Sequence, residues 1–271
     1  MTSNSKIRVG AVEYLNTKPL VYGLEKIAPQ AEVVLDLPSR LADRLAADEL
    51  DVALIPSIEF FQDPTYRIVS DACIACRGPV LSVKLFSRVP AERIGSLALD
   101  EGSRTSAALV QILLKEKHGV VPRLEPLPLG ATLADTQADA VLLIGDRAIH
   151  SPPGRFAEVW DLGDEWRRWA DLPFVFAMWV AREGRDLQDV EQALGEARNA
   201  GVAHLGAIAE REAAAKGLTA PQCLSYLRDN LHFYLGPREQ EGLTKFYRHA
   251  ADLGLAPQGA DLGFDACISS R

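Results

Sequence analysis

The chain has 271 residues, of which 48% are hydrophobic and 24% charged, a composition that fits a globular protein of one large or two small domains. Its 29 basic and 37 acidic residues leave a net charge of -8, which excludes nucleic acid as the expected partner because phosphate neutralisation needs a basic face. A small anionic ligand is still allowed, since the field inside a pocket can oppose the global charge.

No stretch reaches the roughly 18 apolar residues of a membrane span. The opening Met1–Arg8 lacks the apolar core of a signal peptide, so a cytoplasmic location is expected.

Strand-like and helical runs alternate from the start, the pattern of a parallel α/β architecture. Ile7–Val12 predicts a strand, followed by a helix near 18–27 with Pro19 in its first turn, then a strand over Glu32–Leu37. A second helix near 39–48 carries Leu41, Ala42, Leu45 and Ala46 at helical spacing, and Asp51–Pro56 predicts a buried strand with Ser57 just beyond it. Ala75–Arg88 predicts a long extended stretch, broken by Gly78-Pro79, that crosses between two lobes. A second unit begins at Val89-Pro90: strand Leu97–Asp100, helix 104–117, strands Leu124–Leu129 and Ala140–Gly145, then Phe156–Leu162 and a helix Asp164–Ala170. Trp166 and Trp169, three apart in that helix, suit core packing. Phe174–Ala181 forms the return crossing. Beyond Gly184 the pattern is almost wholly helical, over 186–199, 201–216, 220–229 and 237–253, with Gly201, Gly217 and Pro237 at the boundaries. Two crossings imply two lobes around a cleft. The expected division is 1–88 with 182–271 for the first lobe and 89–181 for the second.

Of the four cysteines (73, 76, 223 and 267), Cys73 and Cys76 have C-x-x-C spacing. They lie in a predicted strand, where residues three apart point to opposite faces, and no second pair or histidine cluster completes a metal site. Buried structural thiols are expected. The five histidines show no ligand spacing, and only His150 lies near a cleft segment. P-loop, nucleophile-elbow and H-E-x-x-H signatures are missing, so no metal, nucleotide or covalent chemistry is predicted.

What remains are small polar groups at strand-to-helix junctions: Asn16 and Thr17, Ser57, Ser82, and Thr105 with Ser106. The free N–H groups and positive end of the helix opened by Thr105 and Ser106 suit a carboxylate. Each segment alone could be a helix cap, with Ser103 capping the 104–117 helix. Junctions drawn from both lobes favour a shared pocket for a small anion. Asp146-Arg147 follows the apolar strand and either lines the cleft or pairs on its rim, and Arg77 and Arg104 are lower-ranked cationic partners.

The run Val9–Leu20, with Glu13-Tyr14-Leu15-Asn16-Thr17-Lys18-Pro19 at its centre, resembles the opening of the chorismate dehydratases of the futalosine route to menaquinone. Asp51–Ser57, Gly78–Val83, Asp100–Ser106 and Leu142–Ala148 resemble the same family. A sister enzyme with the same fold has Ser-Pro-Cys-Pro-Asn-Asp-Thr in its first loop, which this chain lacks. The resemblance is specific to about residue 180 and general beyond it. It implies a two-lobed, periplasmic-binding-protein-like (type II) α/β fold and a cofactor-free lyase. Such an enzyme removes water from the dianion chorismate to give 3-[(1-carboxyvinyl)oxy]benzoate, with the substrate's own enolpyruvyl carboxylate taking the proton. Asn16 matches the family's central polar residue and is expected to be catalytic. Thr17, Ser57, Ser82, Thr105, Ser106 and Asp146 are expected to bind substrate. The rival readings are a non-catalytic solute-binding protein for a carboxylate, which should be exported, and the effector-binding half of a transcription regulator, which should adjoin a helix-turn-helix.

Overall fold

The computed structural model describes residues 6–150 and 154–260 together with 262 and 264; Cys267 and the end of the expected first lobe lie outside the described residues. Two sheets organise the chain. The first has the order β11-β4-β10-β3-β1-β2. Its parallel part is β1 (Ile7–Val12), β2 (Ala31–Asp36) and β3 (Val52–Pro56), with Ile7 opposite Ala31 and Val9 opposite Val52. All five residues of β3 are buried, as expected of a strand covered on both faces. β4 (Tyr66–Cys76) and β10 (Phe174–Arg182) run antiparallel to each other, and β11 (His232–Tyr234) closes the edge.

The second sheet has the order β7-β6-β8-β5-β9. It comprises β5 (Val83–Ser87), β6 (Ser96–Asp100), β7 (Arg123–Leu127), β8 (Ala140–Ile144) and β9 (Glu158–Asp161). β6 lies parallel to β7 and β8, while β5 is antiparallel to β8 and β9.

Several expectations need correction. The helix near 18–27 is reduced to a 3-10 turn at Leu15–Thr17 and one helical turn at Leu24–Ile27. Gly23, at φ 69° in the left-handed region, separates them. Pro19 therefore sits in a turn, outside any helix. β4 begins at Tyr66, well before the expected extended stretch. Sheet membership also differs from the expected division: Val83–Ser87 pairs in the second sheet and Phe174–Ala181 in the first. The chain thus changes sheet between Cys76 and Val83 and returns between Asp161 and Phe174. At the first crossing the Asp161 carboxylate accepts from the Val80 and Leu81 N–H groups (2.9 and 2.7 Å). This holds Leu81 at φ 62°, a costly conformation for a non-glycine residue, and fixes the following Ser82.

The buried apolar residues form a main core shared by both sheets and a smaller cluster around Phe86, Val141 and Leu143 in the second sheet. Trp166 is fully buried, donates to the Pro173 carbonyl (3.0 Å) and packs edge-on against Trp169 and Phe174. Cys73 and Cys76 are buried in β4, where burial raises both thiol pKa values, that of Cys76 to about 12. The C-terminal helices span Val190–Ala203, Leu205–Glu212, Ala220–Ser225 and Pro237–Asp252. After Ser225 the backbone widens into a π-turn over Tyr226–Asn230.

Candidate active site

A narrow cleft of about 60 Å³ opens where β1, β3 and β8 end at their carboxyl termini, beside the amino end of the helix Arg104–His118. Open α/β sheets present ligand sites at such strand ends. Four of the predicted residues border it: Asn16, Ser82, Thr105 and Ser106. Thr17, Ser57 and Asp146 stand behind that border. Apolar walls come from Val12, Ile74, Val83, Ile144 and Phe176; two further groups line the cleft, Tyr14, to which sequence reasoning assigned no role, and Ser103, which it read only as a helix cap.

The loop after β1 is fastened from the opposite sheet. Leu15 donates its N–H to Asp146 Oδ1 (3.1 Å), and Lys216 Nζ lies 2.6 Å from Asp146 Oδ2. Asp146 is thereby an anchor of the loop and does not line the cleft. Arg147 turns away to pair with Asp100. Tyr14 lies across Gly145: a Cβ at that glycine would come within 2.9–3.0 Å of the tyrosine ring. The following Asn16 is half-buried, and its Oδ1 accepts a hydrogen bond from the hydroxyl of the fully buried Thr17 (3.3 Å).

Ser57 and Thr105 stitch the sheets together. Ser57 donates its hydroxyl to the Val175 carbonyl (2.7 Å), and Thr105 Oγ1 accepts the Ile58 N–H (3.2 Å). Ser103 occupies the N-cap position of the Arg104–His118 helix but makes no side-chain capping bond. Neither Thr105 nor Ser106 caps that helix. The bond from Ala107 N to Ser103 O (3.2 Å) begins the ladder, so the N–H groups of the first turn face outward without intrahelical acceptors. They lie at the positive end of a 15-residue helix dipole.

The lower-ranked groups are engaged elsewhere. Arg104 binds Asp43 (2.8 Å) and Glu59 (3.0 Å), Arg77 binds Glu239 (2.8 Å), and His150 Nε2 lies 3.1 Å from the Lys216 carbonyl. The cleft lining contains no carboxylate, imidazole, thiol, amine or guanidinium. Its one ionisable group is Tyr14, whose pKa is raised by burial and by the nearby Asp100 carboxylate, so the phenol stays protonated at neutral pH. Sequence reasoning also missed Tyr226. It is buried at the start of the π-turn, close to Ser82 and Asn16, and burial raises its pKa as well. Tyr14 falls inside the motif quoted above and was legible there; Tyr226 carries no local signal. Such an arrangement can bind a carboxylate through N–H and O–H donors and hold it away from water. It offers no side-chain general base. Among the described residues no group of three or more His, Cys, Asp or Glu side chains is placed to hold a metal ion, and no helix is long and apolar enough to cross a membrane.

Comparison with known proteins gives a consistent picture. The family model for menaquinone biosynthesis matches residues 7–252. A chorismate dehydratase from Thermus thermophilus is 34% identical over 267 residues, covering 92% of this chain and 96% of the relative. Among solved structures, an Archaeoglobus fulgidus protein superposes with a TM-score of 0.68 at 19% identity, covering 94% of this chain and 100% of that one. A Candida albicans gene product with the generic periplasmic binding protein fold gives 0.64 at 12% identity, covering 95% and 92%. At these identities the structural likeness establishes the fold, which is the periplasmic-binding-protein-like α/β architecture.

Proposed function

Because the chain belongs to the menaquinone-biosynthesis family, we propose that it is a chorismate dehydratase, a cofactor-free lyase acting in the cytoplasm on a small molecule. The two sheets are then the centres of two lobes that meet at the cleft, divided near residues 80 and 172. The observation that carries the reading is a cleft at the junction of both sheets, bordered by Asn16, Ser82, Thr105 and Ser106 and without a basic side chain.

In the proposed reaction a proton leaves the ring carbon that bears the ether, and hydroxide leaves its neighbour. The ring becomes aromatic. With no basic side chain at hand, the enolpyruvyl carboxylate of the substrate takes the ring proton and passes it to the departing hydroxide, which leaves as water, so the carboxylate is regenerated. The protein contributes orientation and exclusion of water. Asn16 holds the reacting part of the substrate, and Ser82 adds a second donor. Thr105, Ser106 and the first-turn N–H groups of the Arg104–His118 helix receive a carboxylate. Thr17, Ser57 and Asp146 support these groups from behind. The Tyr14–Gly145 and Asp146–Lys216 contacts join the lobes over a cleft of about 60 Å³, so substrate entry requires them to part.

The pH dependence of kcat tests this reading. Both phenols near the substrate ionise above their ordinary range, so no protein group titrates in the cleft at neutral pH. Chorismate turnover should be level from about pH 6 to about pH 9, where an essential protein base or acid would bend the profile. A limb near neutrality would refute the base-free cleft. Binding of chorismate without any turnover would instead support the solute-binding reading.

A further inference from the structure

We propose that Tyr14 is a ligand-binding residue of the cleft, whose phenol hydroxyl donates a hydrogen bond to an anionic oxygen of the ligand. Tyr14 stands just beyond β1 in an extended conformation (φ -75°, ψ 163°), immediately before the 3-10 turn Leu15–Thr17. The following Leu15 N–H is held by Asp146 of the opposite sheet, which fixes the direction in which Tyr14 leaves the loop. Its ring crosses towards the second sheet and rests on two glycines. A Cβ at Gly145 would lie 2.9 Å from the ring atom Cζ, and one at Gly102 would lie 3.5 Å from the phenol oxygen. Bare backbone at Gly145 therefore leaves the room that the ring fills. The hydroxyl end stands beside Gly102, one residue before Ser103, and both Tyr14 and Ser103 line the cleft.

Among the described residues the Tyr14 hydroxyl makes no hydrogen bond to the protein. It is not one of the sealed polar atoms that lack a partner, which are Trp179 Nε1, Arg182 Nε and His232 Nε2, so it is open to water. The neighbouring Asp100 carboxylate is already engaged. Its Oδ1 accepts from Gly102 N (3.0 Å), and its Oδ2 accepts from Ile144 N (3.2 Å) and pairs with Arg147. A ligand that enters between Val12, Ile144 and Phe176 displaces water, and a phenol O–H left dry and unpaired would weaken its binding. The ligand must therefore bring an acceptor to this point. Ser103, which makes no side-chain capping bond, and Ser106 add hydroxyls from the second sheet, while Tyr14 comes from the first. Donors converging from both sides favour an oxygen that carries negative charge. On the dehydratase reading, on which the identity of the ligand rests, that oxygen belongs to a substrate carboxylate.

The test is Tyr14→Phe, which keeps the ring on Gly145 and deletes only the hydroxyl. Because that hydroxyl has no protein partner, Tm should not change. Calorimetric titration with two probes, benzoate and 3-[(1-carboxyvinyl)oxy]benzoate, should give dissociation constants about tenfold higher or more in the variant, as expected for one lost hydrogen bond to a charged group. With chorismate, KM should rise by a similar factor while kcat stays within about twofold, since the bond is made in the ground and transition states alike. Equal affinities of wild type and variant for both probes overturn the proposal. A loss of affinity accompanied by a lower Tm overturns it too, because it marks a structural hydroxyl. A wild type that binds benzoate and leaves chorismate unchanged counts against the dehydratase reading alone, and the two affinities for benzoate still decide the role of Tyr14. A wild type that binds neither probe overturns the proposal as well.

Discussion

Thr105 and Ser106 are adjacent and both border the cleft, yet the structure gives them separable roles. The Ile58 N–H lies in the first turn of the short helix Ser57–Phe60, where no intrahelical acceptor exists. Its acceptor is Thr105 Oγ1 at 3.2 Å, in buried surroundings. Thr105→Val replaces that hydroxyl with a methyl of similar shape and strands the donor, at a cost of about 1–3 kcal/mol. The contact between Thr105 Oγ1 and Ser57 Oγ at 3.4 Å adds little, because Ser57 already donates to Val175 O at 2.7 Å. At about 2–4 °C per kcal/mol, Tm should fall by about 2–12 °C. The Ser106 hydroxyl has no protein partner among the described residues, so Ser106→Ala strands nothing and should leave Tm almost unchanged. It should weaken a bound carboxylate by about 0.5–1.5 kcal/mol, a loss of roughly twofold to tenfold in affinity. Thermal melts paired with calorimetric titration of the reaction product measure both quantities. The reasoning is refuted if Thr105→Val melts like the wild type, or if Ser106→Ala melts lower and binds as well as before.

Asn16→Ala should reduce chorismate turnover by about a hundredfold or more with the fold intact, the size of effect seen when a positioned donor is removed. Asn16→Asp should be at least as damaging, since it sets a carboxylate against an anion; near-normal steady-state rates in either variant would return Asn16 to a purely local role. Gly145→Ala should lower Tm and raise KM together. The position has φ 70° and ψ -159°, which only glycine adopts comfortably, and a Cβ there would press on the Tyr14 ring at 2.9 Å. A melt and a KM both equal to wild type would show that the Tyr14–Gly145 contact does not govern closure.

Much of the fold was legible because apolar runs bounded by turn residues mark buried strands. β1, β3, β6 and β8 fall within a residue or two of their predicted ends. The failures have physical causes. Sheet membership of Val83–Ser87 and Phe174–Arg182 depends on ladder partners far away in sequence, so position along the chain assigned each to the wrong side. His232–Tyr234 is too short to show alternation, and its edge position is set by β4. The 18–27 helix pattern was overridden locally by the left-handed Gly23. At the site, junction chemistry located Asn16, Ser82, Thr105 and Ser106 on the cleft. It could not distinguish residues that border the cleft from those that stand behind it. Thr17, Ser57 and Asp146 have the same polar character, but Thr17 and Ser57 are fully buried and Asp146 is saturated by Leu15 N and Lys216. Tyr226 was invisible for the converse reason: nothing local distinguishes a buried tyrosine in a helix from core packing.

The central claim is that a cleft of neutral donors dehydrates chorismate unaided. Its most direct test is incubation of chelator-treated protein with chorismate and no additive, with the product resolved by absorbance and mass. The expected product is an aromatic acid that has lost one water and kept its enolpyruvyl ether. Recovery of unchanged chorismate from protein that binds it, or activity that returns only when a metal is restored, would contradict the claim.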